Sequence, residues 1–238
     1  MKNPWLNLFR VVNLPTVPGD VLVGASAVLV GTASGLLVMQ IVTAVLASVF
    51  LYLFGLVDND IVGAATDVNR PIPNGQISLS AARLARGVCL LLVMVVAAVA
   101  DLPPLWWVSA FVLALVIVIY NRSKLAVLMG ACRGLNVWCG GVALLSAGLG
   151  ALPRSNLLAL VVCALIWTAY VTFVTRYSEG EETDPGRKRR VGFLIGALVY
   201  LQLTALLVFQ VRPLLIAGAV LLVALRFGRR LFPEVSAS

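Results

Sequence analysis

Long apolar runs separated by short polar punctuation dominate this chain, and their lengths predict helices that cross a membrane. Eight spans follow in order: 20–39, 41–57, 84–100, 105–120, a fifth ending at Leu152, then 157–175, 191–211 and 213–227. Only Gln40 divides the first two, which implies either a very tight hairpin or a boundary placed elsewhere. The first span is rich in Gly, Ala and Ser, a composition that favours close helix contact over lipid solvation. After the second span, Pro71 and Pro73 forbid a continuous helix and predict a turn. Ser78 then has the character of an N-cap for a short amphipathic helix carrying Arg83 and Arg86.

Composition makes the membrane reading firm. Of 238 residues, 61% are apolar, and the mean hydropathy of +1.02 lies far outside the range of soluble domains. The expectation is an all-α polytopic membrane protein forming one domain over 1–238. No small-residue cleavage site precedes the first run, so no removable signal peptide is predicted.

The net charge of +8 does not indicate nucleic acid, because the basic residues punctuate the apolar runs and form no separate domain. Sixteen of the 18 Lys and Arg residues fall on one side of the alternating topology, leaving Arg154 and Arg212 on the other. That asymmetry predicts both termini in the cytoplasm, in what is read as a bacterial cytoplasmic membrane. With no histidine, and four cysteines lacking any Cys-x-x-Cys pair, imidazole catalysis, zinc binding and a disulfide scaffold are excluded.

Candidate chemistry gathers at the predicted cytoplasmic boundary. Residues 58–77, DNDIVGAATDVNRPIPNGQI, place Asp58, Asp60, Asp67 and Arg70 directly after an apolar run. On a helix Asp60 and Asp67 share a face about two turns, roughly 10 Å, apart, a separation suited to a pair of cations or a diphosphate. A second acidic cluster, Glu179, Glu181, Glu182 and Asp184, follows the sixth span and precedes Arg187, Lys188, Arg189 and Arg190. The alternative for each cluster is a solvated helix end. Arg133 and Asn136, three residues apart, share a helix face. An arginine in apolar surroundings is a site candidate unless it snorkels to the surface.

These residues carry a resemblance. Asn59, Asp60 and Asp67, followed by Arg70, Pro71, Ile72 and Gly75, resemble the first aspartate-rich motif of the UbiA family of intramembrane prenyltransferases. Two features depart from that motif: Gly63 stands at the middle aspartate, and the Arg-Pro turn is about three residues short. The segment 129–136, MGACRGLN, and Thr175-x-x-Ser178 followed by Glu181 are similar to the EboC-like branch.

The resemblance implies a helical bundle of about eight transmembrane helices around a lipid-open central cavity, one helix short of the family's nine. It implies Mg2+ held by Asp60, Asp67, Glu181 and Glu182, with Asp60, Asp67 and Glu181 catalytic. Asn13, Asn59, Arg70, Lys124, Arg133 and Asn136 are the substrate-binding candidates. Asn13 is equally readable as a helix cap, and Lys124 as retained positive charge. The implied reaction transfers an isoprenoid chain from its diphosphate to a lipophilic or aromatic acceptor. A non-catalytic lipid-binding or complex-forming subunit is the competing expectation. A transporter fits less well, because the charges avoid the bilayer midplane.

Overall fold

The structure is a computed structural model and describes residues 3–11, 13–29, 35–65, 70–145, 153–179 and 184–231. Within these residues the chain is helical: α1 Pro4–Leu8, α2 Thr16–Val28, α3 Gly35–Val62 with a 3-10 turn Gly63–Ala65, and α4 Leu79–Val99. Then come α5 Pro104–Ser123, α6 Ala126–Val142, α7 Arg154–Ser178, α8 Pro185–Phe209 and α9 Arg212–Leu231. Among the described residues five helices are long and apolar enough to cross a membrane: 37–65, 79–99, 104–123, 154–178 and 186–209. Thr16–Val28 and Arg212–Ala224 are shorter apolar helices. The chain is an integral membrane protein, and large side chains such as Leu84, Phe111 and Phe193 face outward.

The helices α2 to α9 follow the eight expected spans in order, with corrections at the boundaries. Gln40 is not a hairpin; it is buried inside α3, and the break between the first two helices lies after Val28. Periodicity failed there because both helices are apolar on every side, so no polar stripe marks a boundary. The predicted amphipathic helix after Ser78 and the third span are one helix, α4, whose first turn is capped by Ser78 Oγ accepting from Ala81 N at 3.2 Å.

Small residues place α6 at the centre. A Cβ on Gly130 or Gly134 would overlap the backbone or threonine hydroxyls of α7, and one on Gly140 would overlap Val21 of α2. A Cβ on Gly24 of α2 would in turn overlap the Val137 carbonyl. Gly130 and Gly134, four apart, thus let α7 approach α6 closely, and Gly140 lets α2 do so, the way helices gain contact where lipid and side chain are equally apolar. A satellite core at one end joins Leu8, Val57, Ile72, Ile77 and Ala82, with Trp5 and Phe9 packed against it. It anchors the proline turn under α1, and Gly75 supplies the left-handed residue, at φ 77°, that lets Ile77 N return to Pro71 O.

Replacing Gly24 with Val is expected to force α2 from α6 and to cost about 1–3 kcal/mol. Thermal unfolding in detergent checks this; an unchanged midpoint would contradict the close approach.

Candidate functional site: a cavity with a cationic mouth

Three helical stripes form the wall of one cavity of about 430 Å³. From α3 come Ser48, Leu51, Tyr52, Gly55, Leu56 and Asn59, spaced three or four apart as one face requires. Helix α5 contributes Leu113, Ile117, Tyr120 and Asn121, and Lys124 follows at its C-cap. Helix α6 contributes Met129, Cys132, Arg133 and Asn136. Arg10, Val17 and Arg70 complete the wall.

Two cross-links fix the stripes at opposite ends. Ser48 Oγ donates to Asn136 Oδ1 at 2.6 Å, and Lys124 Nζ donates to Asn59 Oδ1. Eleven residues of helix separate Ser48 from Asn59, so the cavity runs roughly 16 Å along α3.

At the Asn59 end the wall is cationic. Arg10, Arg70 and Lys124 all line it, and among the described residues no carboxylate does. Arg70 Nη1 lies 2.5 Å from Asp60 Oδ1, held from behind. Arg10, at φ 40° between α1 and α2, uses its backbone N–H and carbonyl on Asn7 and Asn13, while its guanidinium takes no ion-pair or hydrogen-bond partner among the described residues. Burial first, and then the neighbouring Arg70 guanidinium, lower its pKa from the ordinary value. An arginine nevertheless stays charged, so an anion between these two guanidiniums relieves a repulsion the protein otherwise carries.

The opposite end is organised by the residue that opens the first expected span. Asp20 lies within α2 and is fully buried. Arg133 Nε sits 2.9 Å from its Oδ2, an ion pair without hydrogen-bond alignment. Arg133 Nη2 donates to Asp20 Oδ1 at 3.1 Å and to Thr16 O at 2.8 Å. Asn136 Nδ2 donates to Oδ2 at 3.2 Å, while Trp167 Nε1 and Gln202 Nε2 reach Oδ1 at 2.9 and 2.8 Å. One carboxylate thus joins α2, α6, α7 and α8, and Gly19 leaves the room that the Gln202 amide occupies.

The expected site residues distribute as follows. Asn59, Arg70, Lys124, Arg133 and Asn136 meet in the cavity wall. Asn13 is buried but is not part of that wall; its carbonyl accepts from Thr16 Oγ at 2.8 Å. Asp60 is buried against Arg70 and does not line the cavity. Asp67, Glu181 and Glu182 lie outside the described residues. Arg133 does not snorkel, since α6 begins seven residues before it and its charge is met inside.

Asp58, the other described carboxylate of segment 58–77, is committed elsewhere. Arg86 Nη1 and Asn121 Nδ2 donate to it at 2.8 and 2.9 Å, with Arg122 at 3.6 Å. No group of three Asp, Glu, Cys or His gathers among the described residues. These residues by themselves do not fit a magnesium cage.

The chain matches no protein-family model and no curated protein sequence. Solved structures do match over nearly its whole length. A UbiA homolog from Archaeoglobus fulgidus bound to DMAPP and Mg2+ aligns with a TM-score of 0.57 at 15% identity, covering 99% of this chain and 88% of that one. A structure concerned with digeranylgeranylglyceryl phosphate synthase in membranes aligns at 0.55 and 17% identity, covering 97% and 87%. The chain has a UbiA-like fold. At this identity the likeness carries the architecture and leaves the chemistry to the residues. Within that fold, Arg10, Ser48, Tyr52 and Asp20 were missed from sequence. Arg133 was the signal for Asp20, because an arginine in an apolar run needs a counter-charge of its own kind of burial.

Replacing Asp20 with Ala leaves Arg133 buried without its counter-charge and is expected to cost about 3–5 kcal/mol of stability. The double variant Asp20→Leu, Arg133→Met should recover much of that loss. Unfolding in mixed micelles checks both, and an unaltered single variant would show that the pair bears no weight.

Proposed function

We propose that this protein is a UbiA-type intramembrane prenyltransferase, moving an isoprenoid chain from its diphosphate to an aromatic or alcohol acceptor and releasing pyrophosphate. The observation that carries the reading is the cavity itself: cations at one end and an apolar wall of Leu51, Leu56, Leu113, Ile117 and Met129 along its length. That is the shape of an amphiphile with an anionic head.

The diphosphate takes the place between Arg10, Arg70 and Lys124, whose charge-assisted hydrogen bonds stabilise it. As the C1–O bond breaks, its electron pair leaves with pyrophosphate, and the same three cations meet the growing negative charge. The allylic cation left behind lies in a wall containing the rings of Tyr52 and Tyr120. Exclusion of water by the aliphatic side chains protects it. An electron pair of the acceptor forms the new bond to C1, and the acceptor's proton departs with the pyrophosphate.

Magnesium dependence belongs to this proposal through Asp60, Asp67, Glu181 and Glu182, and no step is derived through the ion. An incoming diphosphate competes with Asp60 for Arg70. The kinship with the EboC-like branch rests on segment 129–136 and on Glu181. The predicted orientation puts the cationic mouth, like both termini, on the cytoplasmic face.

A second reading, a non-catalytic lipid-binding or complex-forming subunit, is favoured by one observation: both described carboxylates of segment 58–77, Asp58 and Asp60, are held by arginines. Pyrophosphate release by the purified protein, across isoprenoid diphosphates and acceptors with and without magnesium, separates the two. Arg10→Ala is expected to weaken donor affinity about 10-fold or more, and Asp67→Asn to abolish release. Binding of the diphosphate without release under every condition would establish the second reading.

A further inference from the structure

The two ends of the cavity differ in charge. At the mouth, Arg10, Arg70 and Lys124 line the wall, and Asp60, paired with Arg70, does not. At the inner end, Arg133 is matched by Asp20.

The hydrogen-bonding capacity of the inner end is also limited. Arg133 spends Nε and Nη2 on Asp20 and Thr16, while Nη1 takes no partner among the described residues. Asn136 spends its amide on Val17 O and Asp20, and its oxygen accepts from Ser48. The Ser48 hydrogen is therefore used and its oxygen lone pairs are not. The groups left over at this end are a donor, Arg133 Nη1, and an acceptor, Ser48 Oγ, on two side chains of the cavity wall, with Tyr52 one turn along α3 from Ser48.

We propose that this inner end is a subsite for an uncharged hydroxyl, and that Asp20, by neutralising Arg133, makes it reject a carboxylate. A hydroxyl accepts from Arg133 and donates to Ser48, satisfying both groups at once. A carboxylate has no hydrogen to give Ser48, so it leaves those lone pairs unmet, and it lies near the Asp20 charge. That the occupant is the acceptor substrate rests on the prenyl-transfer reading, in which the hydroxyl held here anchors the acceptor at the far end of the cavity from C1 and is not the group that attacks; the selectivity itself does not rest on it. Asp20 touches no ligand and acts as a positioning residue through Arg133 and Asn136.

The test uses the full chain in detergent with three probes: geranyl diphosphate, 4-heptylphenol and 4-heptylbenzoate, the last two corrected for partition into empty micelles. Wild-type protein is expected to bind the phenol at least about 10-fold tighter than the benzoate. Asp20→Asn keeps an oxygen for Trp167 and Gln202 but removes the charge, so it should erase or reverse that ratio. Ser48→Ala should weaken the phenol and leave the benzoate unchanged, a pattern that general loosening of the bundle would not produce. Equal or tighter binding of the benzoate by wild-type protein overturns the proposal without any variant, as does an unchanged ratio in a folded Asp20→Asn protein. Failure of geranyl diphosphate to bind while the phenol preference persists would instead overturn the donor assignment at the mouth.

Discussion

A carboxylate with no access to water, placed inside an apolar bundle, must find its charge partner within the protein, and Asp20 finds Arg133. Much else follows from that pair. It needs α2 and α6 in near contact, which Gly24 and Gly140 permit. Its remaining lone pairs recruit Trp167 from α7 and Gln202 from α8, so four helices share one polar centre. The same pair fixes where Arg133 and Asn136 stand in the cavity wall. A buried ion pair of this kind is weak as a source of net stability but strong as a specifier, since few other registers of these helices satisfy it.

The charges at the other end obey the same rule with a different outcome. Asp58 and Asp60 are drawn to Arg86, Asn121 and Arg70. Among the described residues the cavity consequently faces cations, not carboxylates, beside the acidic segment. The likeness to UbiA homologs bound to isoprenoid diphosphates is a likeness of fold; the case for a diphosphate in this chain is made by Arg10, Arg70 and Lys124.

Much of the architecture was legible in the linear pattern. Run lengths located the helices in order, Pro71 and Pro73 located the turn, and the Arg133 to Asn136 spacing identified a face that does meet the cavity. What stayed hidden is physical in origin. The end of α2 has no polar stripe to mark it, so Gln40 was taken for a boundary. Asp20 merely opens the first expected span, and no linear pattern shows that Gly19 before it is small so that Gln202 can approach. Arg10 sits outside every motif, and only tertiary packing brings it beside Arg70. Carboxylate spacing showed where acids lie along a helix, but not which arginines would claim them.

The account stands on guanidinium groups taking a diphosphate at the mouth of the cavity. Its most direct measurement is solid-state NMR dephasing between the 31P nuclei of a bound, non-hydrolysable isoprenoid diphosphate analogue and 15N-labelled arginine side chains, assigned by an Arg10→Lys variant. Strong dephasing that loses its Arg10 component in the variant is the predicted result. A tightly bound analogue whose phosphorus shows no arginine contact would contradict it.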